Sequence, residues 1–281
     1  MVKDVYGGPA VFAAKLCQAK RFYAMKTFLF TIALLFSVAS NFVFAAEKNI
    51  RVALYEDTGA SGKGVPFVCT ELGECGDVNV TKVSAKQIRD GVLKDFDVVV
   101  FTGGGASTQA KTLGDQGRAN VKHFVENGGG YMGICAGAYL ACNGFDWAVG
   151  VLDAKTVSPK WQRGMGMVQI ELNSDGQRLL KQTGKNFEVK YENGPIITHG
   201  KGLLPGFKTL AVYRTEKAEN GSPVGAMVNS PAIVTSTCGK GRVVVISPHP
   251  EQSKGAESMI PAAIKWLGAK ERRLVSPRVS G

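Results

Sequence analysis

The stretch that most constrains the fold is GGGYMGICAGAYLAC, residues 128–142. An apolar run typical of a buried strand leads directly into Cys135, and a sequence typical of a helix follows it. Gly133 and Gly137 flank the cysteine as in the cysteine version of the G-x-S-x-G nucleophile elbow. Such an elbow places its nucleophile at the carboxyl edge of a sheet and at a helix N-terminus, where the helix dipole favours a thiolate. A buried structural cysteine in a glycine-rich turn explains the same residues equally well.

Apolar strand-like runs alternate with helical spacing in the first half of the chain, which indicates a parallel, doubly wound α/β sheet. We expect strands at 50–56, 77–83, 97–101 and 131–134, and helices at 84–93 and 116–127. The second half predicts additional antiparallel strands around this core and one last helix. We expect those strands at 167–172, 187–192, 209–214, 224–228, 232–237 and 242–247, and that helix at 255–267.

The N-terminal region has the pattern of a secretory signal peptide: Lys26, then an apolar run over residues 27–46 that ends in small residues. We predict that Met25 is the true start and that cleavage follows Ala45, so the protein is exported to the periplasm or secreted. An uncleaved membrane anchor is the alternative, because about 20 apolar residues can span a bilayer.

Three regions follow from this interpretation. Residues 1–45 are an upstream segment and signal peptide, 46–269 form a single domain, and 270–281 are a charged tail. We expect no stable membrane span after cleavage.

The basic charge of the chain does not indicate a nucleic-acid partner. The net charge is +11, and residues 1–45 contribute five basic residues and one acidic residue to it, so their removal leaves +7. The remaining charge is spread along the chain without a basic run interleaved with aromatics, which argues against nucleic-acid binding.

The histidines and cysteines limit the kinds of site. Only three histidines are present, which argues against a histidine-built metal centre, and we predict neither a metal nor a cofactor. Cleavage would leave five cysteines, an odd number, and in an oxidising compartment Cys69 with Cys75 is the favoured local disulfide.

A base and an orienting acid follow the strand-like run RVVVIS, in the sequence PHPE at 248–251. His249 and Glu251 stand two apart in an extended segment and therefore project to the same side. Glu251 can hold the imidazole while the imidazole faces Cys135, which is the arrangement that activates a nucleophile. The N–H of Ala136 and a second N–H from the turn TGGG, residues 102–105, can stabilise an oxyanion. A surface loop with an incidental histidine is the alternative.

The order FTGGG, GGYMGICAGAY and ISPHPE resembles the class I glutamine amidotransferase-like superfamily. In detail it is most similar to the biotin–protein ligase N-terminal domain family, whose further motifs correspond to DTGAS (57–61) and YENGP (191–195). The resemblance implies a flavodoxin-like α/β fold in which Cys135, His249 and Glu251 form a catalytic triad and Gly104 and Ala136 the oxyanion hole.

The candidate substrate-binding residues are Gly103, Gly105, Tyr139 and Asn193. Tyr139 stands where glutamine amidotransferases carry a glutamine that helps to bind substrate, which argues against glutamine as the substrate. Trp161, Arg163 and Glu192 lie in loops that could line the pocket, but ordinary loop positions explain them better.

Two functions follow from the sequence. The first is an exported, cysteine-dependent amidase or hydrolase acting on an unknown small-molecule or peptide substrate with an amide or acyl group. The alternative is a non-catalytic module that binds a small molecule or a protein.

Overall fold

A computed structural model describes residues 49–269 of the 281-residue chain, and this part of the chain forms one compact unit. The predicted signal segment, 1–45, and the charged tail, 270–281, lie outside the described residues. Within 49–269, no helix is both long and apolar enough to cross a membrane.

Five parallel strands form one half of the central sheet. In the order in which they pair they are β2 (Val78–Val83), β1 (Ile50–Tyr55), β3 (Val98–Phe101), β4 (Gly130–Ile134) and β11 (Gly241–Ile246). All residues of β3 and β4 are buried, as expected of parallel strands that are covered on both faces. With β11 counted as the fifth strand, the order is 2-1-3-4-5, which confirms the flavodoxin-like doubly wound prediction.

Antiparallel strands extend the sheet beyond β11, as predicted for the second half. They are β10 (Pro231–Cys238), β9 (Lys208–Tyr213), β6 (Met165–Leu172) and β7 (Asn186–Glu192), in that order. Two short strands, β5 (Ala154–Thr156) and β8 (Ile197–His199), pair separately. The edge strand β7 therefore lies four strands away from β11 in the sheet order.

The strand predicted at 224–228 is wrong, because this segment forms consecutive turns. Gly225 has φ +80°, outside the region that a strand allows. Its N–H donates to the carboxylate of Glu216 at 2.8 Å rather than to a neighbouring strand. Pro223, just before the segment, has no N–H to contribute to a ladder.

Helices cover both faces of the sheet. They are α1 (Gly64–Gly73), α2 (Ala85–Arg89), α3 (Ala106–Glu126), α4 (Ala136–Ala141), α5 (Ser174–Leu179) and α6 (Met259–Gly268), with 3-10 turns at Val92–Asp95 and Pro250–Gln252. Ser84 caps α2 in a capping box with Gln87. The predicted helix at 116–127 is the second part of α3, whose first part is separated by a non-helical Gly114. Neither α1 nor α5 was predicted.

The core has two layers because side chains alternate along each strand. Val52 and Leu54 of β1 pack with α1 and α6 on one face, whereas Ala53 and Tyr55 pack with α2, α3 and α4 on the other. Since both faces are covered, the loops at the carboxyl ends of β1, β3, β4 and β11 meet at one edge of the sheet, where open α/β folds bind ligands.

Candidate active site

Cys135 lies between β4 and α4 in a strained backbone conformation, with φ +51° and ψ −98°. Its N–H donates to the Ile246 carbonyl at 2.9 Å, which anchors the turn to β11. A Cβ on Gly133 would lie 2.3 Å from the Gly137 carbonyl oxygen, and one on Gly137 would lie 2.1 Å from that of Phe101. The glycines two residues to either side are therefore required by close backbone contact, and the turn has the geometry of a nucleophile elbow.

His249 bridges the cysteine and a carboxylate. Its Nδ1 lies 2.7 Å from Oε1 of Glu251, and both side chains are almost fully buried. The ring also lies near Cys135, since a Cβ on Gly103 would lie 2.8 Å from Cε1 of His249 and 3.8 Å from Cβ of Cys135. Burial lowers the pKa of His249, but hydrogen bonds to Cys135 and Glu251 outweigh it and raise the pKa to about 10. His249 therefore holds a second ring proton at neutral pH.

The backbone of His249 is attached to the edge strand β7. Its N–H donates to the Lys190 carbonyl at 2.7 Å, and Ser253 donates its hydroxyl to the His249 carbonyl while accepting the Lys190 N–H at 2.9 Å. The side-chain amide of Gln252 lies 3.0 Å from Oε1 of Glu251. Sequence reasoning missed these three supporting residues, since nothing in their spacing indicates that β7 returns to this loop.

The glycine turn after β3 is paired with the loop after β1. Gly103 accepts the N–H of Ser61 at 2.8 Å, and Gly105, which caps α3, donates to the Gly59 carbonyl at 2.9 Å. Gly104 has φ +124°, and a Cβ there would lie 2.1 Å from the Gly59 oxygen. The described part of the chain offers the Gly104 N–H no acceptor.

The second candidate oxyanion donor is the N–H of Ala136. Ala136 is the first residue of α4, and the first N–H groups of a helix have no partner within it. The N–H groups of Gly104 and Ala136 thus belong to the two turns that border Cys135, as an oxyanion hole requires.

Tyr139 and Asn193 contact each other over the cysteine. The Tyr139 hydroxyl donates to the Asn193 carbonyl at 3.1 Å, and the Cys135 thiol donates to the neighbouring Glu192 carbonyl at 3.3 Å. Asn193 has φ +55°, and its side-chain oxygen accepts the N–H of Gly164 at 2.9 Å. The YENGP loop therefore closes over the elbow, and Cys135 is only 7% exposed.

Arg163 is not the ordinary loop residue that the sequence indicates. Its side chain is 2% exposed and lies beside the loop that carries Asn193, since Gly164 and Asn193 exchange two hydrogen bonds. Nothing in the pattern around Arg163 distinguishes it from the exposed lysine and tryptophan that precede it.

The other predicted features lie away from this site. Cys69 and Cys75 are both free thiols, so the favoured disulfide is not formed in this structure. Among residues 49–269 there is no group of three or more His, Cys, Asp or Glu side chains that could hold a metal ion. A surface cavity of about 990 Å³ lies at the amino-terminal edge of the sheet, among Phe96, Phe124 and Trp266.

Comparison with known proteins finds a family that is similar to the first part of the chain. The model of the family described as "Biotin-protein ligase, N terminal" matches residues 50–160, which confirms the predicted family over this segment. The segment contains Cys135 but ends before His249. An uncharacterized protein of Chlamydia muridarum (strain MoPn / Nigg) is 25% identical over 232 residues, with 72% of this chain and 80% of that protein covered.

Solved structures share the fold. A putative ThuA-like protein of Bacteroides uniformis ATCC 8492 matches with a TM-score of 0.54 and 16% identity, covering 80% of this chain and 93% of that chain. The cytoplasmic protein STM1381 of Salmonella typhimurium LT2 matches with a TM-score of 0.52 and 14% identity, covering 78% and 99%. Together with the family match, these similarities support a glutamine amidotransferase-like fold.

Proposed function

We propose that this protein is a cysteine-dependent amidase or hydrolase that acts on an amide or related acyl substrate. The observation that carries the proposal is the position of His249, whose ring bridges the strained Cys135 and the buried Glu251 at the carboxyl edge of the sheet. Nucleophile, base and orienting acid in mutual contact are the parts that covalent acyl transfer needs.

In the first half of the reaction, the Cys135 sulfur attacks the substrate carbonyl carbon and a C–S bond forms. The oxyanion accepts hydrogen bonds from the N–H groups of Gly104 and Ala136. His249 then gives its proton to the leaving nitrogen, the C–N bond breaks, and a thioester remains. Glu251 holds the ring in place throughout.

In the second half, a water molecule attacks the thioester carbonyl while His249 takes its proton. A C–O bond forms, the C–S bond breaks, and the carboxylic acid product leaves as Cys135 and His249 return to their starting state. No redox partner is needed, because the net reaction is hydrolysis.

Two features bear on the substrate and the location. Tyr139 occupies the position of the glutamine-binding residue and its hydroxyl is engaged by Asn193, which supports a substrate other than glutamine. The signal-like sequence at 27–46 supports export to the periplasm or secretion, and the same apolar run would serve as an anchor if it were not cleaved. The mass of the protein recovered from the cell envelope tests this, since cleavage after Ala45 leaves Ala46 as the first residue.

Selective alkylation tests the activated thiol. We expect iodoacetamide to label Cys135 before Cys69 or Cys75, which are free and more exposed, because burial raises the pKa of both of those thiols. A panel of amides should then contain one that the protein hydrolyses and that Cys135→Ala does not. Equal labelling of the three cysteines would contradict the proposal.

A non-catalytic binding module is the second candidate, and the closed state of the site favours it. Cys135 is 7% exposed and its thiol is bonded to the Glu192 carbonyl, so a substrate must first displace the YENGP loop. A ligand that co-purifies with the protein and keeps its affinity in Cys135→Ala would favour binding over catalysis.

A further inference from the structure

Arg163 carries a positive charge inside the protein with little to satisfy it. Its Nη2 donates to the Pro223 carbonyl at 3.1 Å. Nε and Nη1 are buried and have no hydrogen-bond acceptor within the part of the chain that the structure describes. A buried guanidinium with unmet donors is costly, because its charged N–H groups lose their hydrogen bonds to water without a replacement.

The nearest carboxylate does not meet this need. Oε1 of Glu216 lies 3.8 Å from Nη2 of Arg163, which is too far for a hydrogen bond. Both carboxylate oxygens of Glu216 instead accept the N–H of Gly225 at 2.8 Å. Arg163 is therefore held in place by the 216–225 turns and interacts with the Tyr191 hydroxyl, but its Nε and Nη1 still lack a well-formed hydrogen bond.

The position of Arg163 relates it to Cys135. The next residue, Gly164, donates to the side chain of Asn193 at 2.9 Å and accepts its N–H at 3.1 Å. The carbonyl of Asn193 accepts the Tyr139 hydroxyl, and the carbonyl just before it, that of Glu192, accepts the Cys135 thiol. One continuous set of hydrogen bonds thus joins the backbone beside Arg163 to the elbow.

The charges agree with this placement. Burial raises the pKa of Tyr139 and of Tyr191, and the Arg163 guanidinium opposes the shift in both. Cys135 lies within electrostatic range of the same two phenols. Arg163 and Cys135 therefore lie within electrostatic range of one buried pair of hydroxyl groups.

We propose that Arg163 is the substrate-anion residue of this site, and that the substrates of Cys135 are amides or acyl compounds that carry a carboxylate. A guanidinium suits this role because it is always charged and its planar donors match carboxylate geometry. The inference rests on the proposed function, since it assumes that substrate binds beside Cys135.

Two alkylating reagents that differ in one group test the proposal without knowledge of the substrate. In both, the Cys135 sulfur displaces iodide, but iodoacetate carries a carboxylate and iodoacetamide is neutral. We expect Arg163→Gln to lower the iodoacetate rate at Cys135 at least tenfold while the iodoacetamide rate changes less than twofold. The iodoacetate rate of Arg163→Lys should lie between those of the unaltered protein and Arg163→Gln. Arg214→Gln, which removes an exposed arginine, should leave the ratio of the iodoacetate and iodoacetamide rates unchanged.

The outcomes separate the two proposals. If iodoacetamide labels Cys135 selectively but Arg163→Gln leaves the ratio of rates unchanged, the anion role is overturned and the nucleophile stands. If neither reagent labels Cys135 selectively, the proposed hydrolase is overturned.

A second measurement needs neither a folded variant nor a labelled thiol. In the unaltered protein, succinate should raise the melting temperature, and should slow any labelling of Cys135 by iodoacetamide, relative to sodium chloride at the same ionic strength. Inorganic phosphate is tested in the same way. A general anion site would respond to phosphate as it does to succinate, whereas a carboxylate site would not. A melting temperature that succinate does not change would overturn the inference.

Discussion

His249 and Glu251 are held together by a 2.7 Å contact between Nδ1 and Oε1, and both residues are almost completely withdrawn from solvent. The second oxygen of Glu251, Oε2, is buried and finds no partner within residues 49–269. The carboxylate therefore acts mainly on the imidazole, whose ring also lies near Cys135. The geometry requires the proton to remain on Nδ1 when Nε2 serves as the base.

Glu251→Gln should lower turnover of any substrate by about 10²–10⁴-fold with little change in fold, because an amide can hold the ring but favours the wrong tautomer. Steady-state kinetics on the amide identified in the panel measures the loss. Glu188→Gln, an exposed change on β7, is the matched control and should leave turnover unchanged. Equal turnover in Glu251→Gln and the control would contradict the assigned role.

The protonated state of His249 should make stability depend on pH. Its pKa is raised from 6.5 to about 10 in the fold, so in this window the native state binds a proton that the unfolded state does not. The contribution is complete below about pH 6.5 and is lost as the pH rises toward 10, with a size on the order of a few kcal/mol.

Urea unfolding at pH 6, 8 and 10 measures this effect. The difference in unfolding free energy between the unaltered protein and His249→Asn should shrink steadily across the series. A difference that is constant or grows with pH would argue against a raised pKa for His249 in the native state.

Gly104→Ala should impair both stability and activity, because the new Cβ would lie 2.1 Å from the Gly59 oxygen at a φ of +124°. We expect a loss of about 1–3 kcal/mol in unfolding free energy. Displacement of one oxyanion donor should lower turnover by about 10²–10³-fold. Gly62→Ala is the control, since a Cβ there meets nothing within 4 Å. Equal effects of the two substitutions would contradict the structural and catalytic roles assigned to Gly104.

Glu71 on α1 should destabilise the protein as the pH rises. Burial raises its pKa to about 8, with smaller contributions from the charges of Glu251 and Glu257, and its Oε2 is buried without a partner among the described residues. Between pH 4.5 and 8 the native state holds a proton that the unfolded state has lost, so stability falls with pH.

Glu71→Gln should abolish this fall and stabilise the protein at pH 9 by on the order of 1–2 kcal/mol, after allowance for partial exposure. Melting curves of the unaltered protein and of Glu71→Gln at pH 5 and pH 9 measure this change in stability. Glu188→Gln, an exposed change on β7, serves as the control. If Glu71→Gln stabilised the protein equally at both pH values, titration of Glu71 would be excluded as the cause.

The sequence predicts those parts of the fold that depend on neighbours along the chain. The strands around Cys135 follow local patterns, and the structure confirms them. The segment 224–228 is apolar enough for a strand, but Gly225 and the Glu216 carboxylate turn it away from the sheet. Local hydrophobicity cannot reveal a carboxylate nine residues earlier.

The candidate site likewise contains residues that local sequence predicts and residues that it does not. The sequence motifs single out Cys135 and His249, and the structure brings them together across more than one hundred residues of chain. Arg163 and Lys190 lack any such signal, because their roles depend on where β6 and β7 return in the sheet. Burial of one arginine among several exposed basic residues is a property of packing, which pattern alone does not determine.

The pairing of β4 with β11 also determines at which stage of protein synthesis this site can form. β4 leads into Cys135, the proposed nucleophile, and is made early, whereas β11 and the loop with His249 are the last strand and loop of the described sheet to leave the ribosome. A nascent chain that ends before β11 has an unpaired β4 edge and no base beside its thiol. Contacts so distant in sequence form slowly, so synthesis itself delays the formation of the proposed site until the sheet is complete.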